Sequence, residues 1–266
     1  MNTHLELPVW LDDYIFNHLG AKYCRSNCDM TVIDWDKDDV LNYLGTYFPR
    51  SYAESYCIFS EFFKSNAECF ARKTELSIFD FGCGTGGEII GLVTILLQIF
   101  HNLKKIRIVA LDGNSHALNL YEKVLAAFQM HTEVKIENHS ANICIDDFYD
   151  LNILNKVMKR KFDIIISFKA ICEFVTKQQF EKENAYEHIA RFLLPKLENY
   201  GVFLFVDVTT YNNTSQEWLP KMMDKGLKSA NCFVTNKNEG YNQTFSVTHS
   251  HKSYDESKVA WRIITK

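Results

Sequence analysis

Several features are missing from this 266-residue chain, and each absence narrows what it can be. No basic leader opens it: MNTHLELPVWLDDYIF carries Glu6, Asp12 and Asp13, which is not the pattern of a secretory signal. The most apolar run, residues 89–100, falls short of the ~20 residues that a membrane-spanning helix needs. No C-x-x-C pair occurs among the eight cysteines, and Cys24 and Cys28 have no neighbouring His or Cys to complete a zinc-type set. No metal site is therefore expected, and the cysteines read as reduced, small apolar side chains of a cytoplasmic protein. A surplus of positive charge is lacking too. With a net charge of −4 and a pI near 6.1 there is no global attraction to nucleic acid, only room for a local basic patch. Internal repeats and low-complexity linkers are also absent. What is present is ample core material, 47% hydrophobic residues with 14% aromatics, in a length that suits one large domain with an extension or at most two domains.

The stretch LSIFDFGCGTGGEII, residues 76–90, organises the rest. Apolar Leu76, Ile78, Phe79 and Phe81 read as a buried strand, which breaks into Gly82-Cys83-Gly84-Thr85-Gly86-Gly87 and continues into a helical pattern of apolar residues to Phe100. Strand, glycine turn and helix in that order hold a nucleotide-like ligand in a doubly wound α/β sheet. Glycines let the backbone approach the ligand, and the first helical turn leaves N–H groups free to face it. Two registers coexist: G-x-G-x-x-G, the dinucleotide fingerprint, and D-x-G-x-G-x-G through Asp80, Gly82, Gly84 and Gly86. A tight turn with no ligand is the plain alternative to both.

Strands and helices alternate from there on, the signature of parallel βαβ units. Strands are expected at 105–111, 133–138, 162–168 and 201–208, with helices at 114–130, around 148–158, from a capping box at 176–179 to 194, and at 215–230. Residues 243–250 and 258–265 alternate like an antiparallel edge pair. Ahead of the glycine turn, residues 7–19 fit a short amphipathic helix, 40–48 a helix ending before Pro49, and 50–70 a third helix with an aromatic face.

The D-x-G-x-G-x-G register, with its acid, preceding strand and following helix, resembles the first motif of the class I S-adenosylmethionine-dependent methyltransferases, and the likeness extends over about residues 70–266. The resemblance implies a doubly wound α/β fold with a mostly parallel seven-stranded sheet that closes on an antiparallel C-terminal strand pair. It places a methyltransferase domain at 71–266, preceded by an N-terminal helical cap at 1–70. It also implies S-adenosyl-L-methionine as cofactor, with S-adenosyl-L-homocysteine as product. The cofactor would be held at Asp80, Gly82, Cys83, Gly84 and Gly86, by Asp112 and Gly113 at the next strand end, and by Asn142, Ser167 and Phe168 at the following ones. Asp112 falls where an acid can accept both hydroxyls of a ribose, and the competing role is that of a helix-start acid. Asn142 stands where the family often has Asp, and its side-chain carbonyl can accept the same adenine hydrogen bond.

Acceptor-side candidates follow from strand ends. Lys169 suits an anionic group and Glu173 a base or amine-orienting role, although both fit solvated loop positions equally well. Asp207 at the fifth strand end can line a substrate pocket. His249 and His251 share one face of an edge strand and can take a proton, or simply face solvent. Tyr47, Arg50 and Tyr52 are candidate substrate contacts at a cleft entrance, Arg being suited to a carboxylate or phosphate. The segment from Tyr43 to Ala53 faintly resembles the region ahead of the motif in ribosome-associated methyltransferase-like proteins, but their metal-binding cysteines are missing, so no roles carry over. The expected reaction is methyl transfer to a small molecule or protein. The rivals are an RNA- or ribosome-directed methyltransferase, a non-catalytic methyltransferase-like scaffold, and a nicotinamide-dependent oxidoreductase. No membrane partner is expected.

Overall fold

A computed structural model describes residues 3–24, 35–175, 184–213, 215–238 and 242–266. The chain opens with β1 (His4–Glu6), α1 (Val9–Asp13) and a π-helical turn at Tyr14–His18, followed by the long α2 (Lys37–Asn66). Alternation then begins: β2 (Glu75–Phe81), α3 (Gly87–Ile99), β3 (Lys105–Asp112), α4 (Ser115–Gln129) and β4 (Lys135–Asn142). A 3-10 turn at Leu151–Lys156 leads to β5 (Phe162–Phe168), α5 (Ile171–Val175), α6 (Ala185–Leu193) and β6 (Leu197–Val208). A two-residue ribbon of β7 (Tyr211–Asn212) and β8 (Glu217–Trp218) precedes α7 (Leu219–Ser229), β9 (Val234–Lys237), β10 (Gln243–His249) and β11 (Lys252–Thr265).

The main sheet has nine strands in the order β1-β10-β11-β6-β5-β2-β3-β4, with β9 pairing beside β11. Strands β4, β3, β2, β5 and β6 run parallel to their neighbours, and β11 lies antiparallel between β6 and β10. This is the expected doubly wound sheet with its antiparallel closing pair, widened by β1 and β9, which are too short to announce themselves by alternation. Every residue of β5 is buried, as a central strand covered on both faces requires. One face packs Ile78, Ile106 and Ile164 against α2, α3 and α4, while the other packs Phe79, Leu111 and Ile165 against α6 and α7. No described helix is long and apolar enough to cross a membrane.

Pro49 does not end a helix. The expected break is replaced by one 30-residue helix, α2, that runs through it. Proline inside a helix removes one hydrogen bond and crowds the carbonyl four residues back, at a cost of ~3 kcal/mol. Here burial on both sides of Pro49 offsets that cost. The carbonyls of Phe48 and Tyr52 seat directly on α3, where a Cβ at Gly87 or Gly91 would stand 2.4 Å from them. The acidic run before the helix is its cap: Asp36 accepts from the N–H groups of Asp38 and Asp39, and Asp39 reaches back to the Asp36 N–H. Leu11, Ile15, Phe59 and Phe63 of the N-terminal segment join the same apolar cluster as Ile89 and Leu96.

Other boundaries shift for local reasons. Strand β4 extends to Asn142, pairing with Asp112, and the connection expected to hold a helix makes only the 3-10 turn. Asn184 caps α6, while the capping box at 176–179 lies outside the described residues. Helix α7 starts at Leu219 because Pro220 suits a first turn.

Candidate active site

An open cleft lies beyond the carboxyl ends of β2, β3 and β5, where ligands of open α/β sheets bind. Its floor is the glycine turn. Gly82, Gly84 and Gly86 have φ of 77°, 48° and 82°, a region that side chains disfavour. A Cβ at Gly86 would also stand 2.3 Å from the Tyr121 ring. The turn is tied to the neighbouring strand, since the N–H groups of Gly82 and Cys83 both donate to the Leu111 carbonyl at 2.9 Å. Asp112 completes the brace by accepting from the Gly84 N–H and the Asn114 N–H, each at 2.8 Å. Asn114 in turn caps α4 through the N–H groups of His116 and Ala117. The Gly113 N–H is a third backbone donor to this carboxylate, and the lone pairs left over can accept a ligand hydroxyl.

The site is rich in buried acid. No N–H or hydroxyl donates to the fully buried Asp80 carboxylate, whose hydrogen-bonding neighbour is the Glu88 carboxyl. Burial, reinforced by the charges of Glu88 and Asp112, pushes the Asp80 carboxyl well above its ordinary value. Glu88, in the first turn of α3, is raised to about 8, mainly by burial. Burial also raises Asp112. Across the cleft Lys169, in a left-handed backbone conformation with φ 54°, donates to Glu54 of α2 at 2.8 Å. Glu54 and Glu88 were missed in sequence reasoning. Glu88 sits one residue past the glycine turn, where a helix-start acid looks ordinary, and nothing local marks Glu54.

Of the expected residues, Gly82, Gly84, Asp112, Gly113, Phe168, Lys169 and Glu173 line the cleft, together with Tyr43, Phe81, Leu111, Ile143, Ile145 and Ala170, which had not been singled out. Cys83 and Ser167 are buried behind this wall. Asn142 is exposed and spends its amide on the Asp112 carbonyl at 3.2 Å, so Ile143 and Ile145 form the wall there instead. Tyr47 stacks on Tyr43 at 4.9 Å, with the Arg50 guanidinium 5.6 Å from its ring. Arg50 itself points elsewhere, into a two-pronged pair with Asp255 at 2.8 and 2.7 Å. Tyr52 is packed between α2 and α3, with burial raising it to about 12. Asp207 is internal, accepting from the Cys172 N–H at 3.0 Å and the Tyr186 hydroxyl at 2.8 Å, and so fixes the start of α5. His249 stacks on Phe16 at 5.1 Å and His251 lies tilted against it at 4.3 Å, at the tip of the β10–β11 hairpin and away from the cleft lining. Among the described residues no group of three His, Cys, Asp or Glu is arranged to hold a metal.

These residues fit S-adenosylmethionine. A cradle that only glycine permits, a buried acid beside it, Asp112 with spare lone pairs and the apolar wall of Leu111, Ile143 and Ile145 match its amino-acid, ribose and base parts. Fold and site together define a class I methyltransferase. Residues 72–258 match the family described as "Methyltransferase domain", and the chain belongs to that family, an enzyme whose cofactor is S-adenosylmethionine. Among solved structures, it is similar to magnesium protoporphyrin IX methyltransferase from Synechocystis PCC 6803 with bound SAH, at a TM-score of 0.51 and 8% identity over 96% of this chain and 92% of that one. A putative S-adenosyl-L-methionine-dependent methyltransferase from Methanococcus maripaludis matches over 91% of this chain and 97% of that one, at 13% identity and a TM-score of 0.43. No curated protein sequence matches the chain.

Proposed function

We propose that the chain methylates a small molecule or a protein group within a cleft roofed by its N-terminal helix. The observation that carries this reading is Tyr43 of α2, whose hydroxyl would stand 3.1 Å from a Cβ at Gly84, so the helix closes over the glycine turn that a flat macromolecular surface would otherwise meet. The net charge of −4 supports the same choice over a nucleic acid acceptor. In this reading Asp80, Gly82, Gly84, Gly86, Asp112, Gly113 and Phe168 hold the cofactor, Lys169 and Glu173 face the acceptor, and residues 1–70 act as a cap on the domain formed by 71–266. Bound there, S-adenosylmethionine supplies an electrophilic methyl group on a sulfonium. The chain's own part is to orient the two partners and exclude water, which provides most of the acceleration without a protein nucleophile. A cytoplasmic setting belongs to the proposal, supported by the seven described cysteines, all free thiols.

Thermal-shift titration tests the cofactor half. Saturating S-adenosylhomocysteine at 100 times its Kd should stabilise the protein by about 2.7 kcal/mol, or about 5–10 °C in Tm. A shift with NAD(H) and none with S-adenosylhomocysteine refutes it. Incubation of extracts with the labelled methyl donor tests the acceptor half: label in metabolites or protein is expected, and label confined to RNA, or no transfer by a cofactor-binding protein, overturns it.

A further inference from the structure

Glu54 on α2, Asp80 on β2, Glu88 on α3 and Asp112 at the end of β3 converge behind the glycine turn from four separate elements. Their charges bear on one another: Asp80 on Glu88 and Asp112, and Glu88 on Glu54, Asp112 and Lys169. Glu173 of α5 faces the same ground, since it acts on Tyr43 along with Glu88 and Asp112, and Tyr121 of α4 closes the far side. Lys169 is the cation paired into this group, through Glu54. Even so, Glu54 Oε1 is buried with no partner, and the buried Asp80 carboxyl has only the Glu88 carboxyl to bond with, which requires a proton between the two. Such closely placed carboxyls cannot all ionise while uncompensated, so protons are held in the cluster until opposite charge arrives.

We propose that this cluster makes cofactor binding proton-linked and charge-selective: Glu54, reaching in from the N-terminal helix, extends the site toward the ligand's cationic end, so that the sulfonium donor expels a proton and is held more tightly than the neutral thioether product. The inference rests on the cleft being the S-adenosylmethionine site. The donor carries sulfonium, ammonium and carboxylate, a net charge of +1, whereas the product carries none. With Glu88 raised to about 8, that carboxyl holds a proton at neutral pH, and an incoming cation lowers the value and releases the proton. Donor affinity should therefore rise from pH 6 to 8, by at most about tenfold per unit for one proton, and level off above. Product affinity should change less.

Isothermal calorimetry of the whole chain, with S-adenosylmethionine and S-adenosylhomocysteine in two buffers of different ionisation heat, reads this directly. Expected are donor heats at pH 7 that differ between buffers, and a preference for donor over product that falls about tenfold in Glu54→Gln, the order for one unit charge roughly 10 Å away in a partly buried setting. Glu88→Gln, an isosteric mimic of the protonated acid, should abolish proton release, and far-UV circular dichroism of both variants guards against reading misfolding as an effect. Buffer-independent heats, or a donor preference unchanged in Glu54→Gln, overturn the inference while leaving the cofactor reading intact. Failure of both ligands to bind the unmodified protein overturns both.

Discussion

The clasp between Arg50 and Asp255 should decide whether α2 stays over the cleft. Asp255 is 2% exposed and Arg50 13%, and the guanidinium grips both carboxylate oxygens at 2.7 and 2.8 Å while the Tyr23 hydroxyl adds a bond at 3.0 Å. Burial alone would raise the Asp255 carboxyl. The His249 ring 3.7 Å away and the Arg50 charge override that and hold it at about 2 against an ordinary 3.8. Nearly two units correspond to about 2.5 kcal/mol in favour of the charged form. Arg50→Ala leaves that charge buried without its main partner, so a loss of about 3–5 kcal/mol is expected. The sign follows from the depressed value. The contribution is complete above about pH 4 and disappears as the pH falls toward 2, so the gap between parent and variant should be full at pH 7 and 5 and shrink at pH 3. Urea unfolding followed by tryptophan fluorescence measures it. A double variant, Arg50→Met with Asp255→Leu, should recover most of the loss, because two apolar groups replace the pair without an orphaned charge. A gap below about 1 kcal/mol at pH 7 would mean that the pair behaves as an exposed one and that something else anchors the helix.

Gly86→Ala places a Cβ 2.3 Å from the Tyr121 ring at φ 82°, so the turn must distort, and the thermal shift with S-adenosylhomocysteine should vanish while far-UV circular dichroism stays that of a folded protein. Asp112→Ala removes the acceptor that braces Gly84 and Asn114 as well as the proposed ribose contact, and should weaken S-adenosylhomocysteine by about 10–100-fold; unchanged affinity in calorimetry would sink that assignment.

What could be read from the chain divides along a physical line. The strand–helix alternation, the glycine cradle and the strand-end acid are local matters: burial on both faces writes apolar runs, and positive φ writes glycine. The helix through Pro49 was not legible, because the penalty for proline is local while its compensation, the seating of Phe48 and Tyr52 carbonyls on Gly87 and Gly91, lies some forty residues away. The same holds for Asp207 and Arg50. Both carry the right chemistry for a pocket, yet tertiary partners at Cys172, Tyr186 and Asp255 claim them for bracing.

That division bears on the acceptor. Sequence attention fell on Lys169 and Glu173 because they follow a strand end, but the meaning of Lys169 changes once Glu54 is found across from it. An isolated lysine invites an anion, whereas one pinned at 2.8 Å by a fully buried carboxylate is already compensated and adds little net attraction for one. With Lys169 compensated, and with Asp80 and Glu88 holding protons at neutral pH, the cleft offers no surplus positive charge for an anionic acceptor, and a neutral one is favoured. Pairing Lys169→Met with Glu54→Gln, which removes both charges at once, should therefore preserve acceptor KM better than either single change, since each single variant leaves an orphaned charge beside the acceptor. Additive losses, with the double variant impaired by the sum of the two single ones, would show instead that Lys169 contacts an acceptor anion directly.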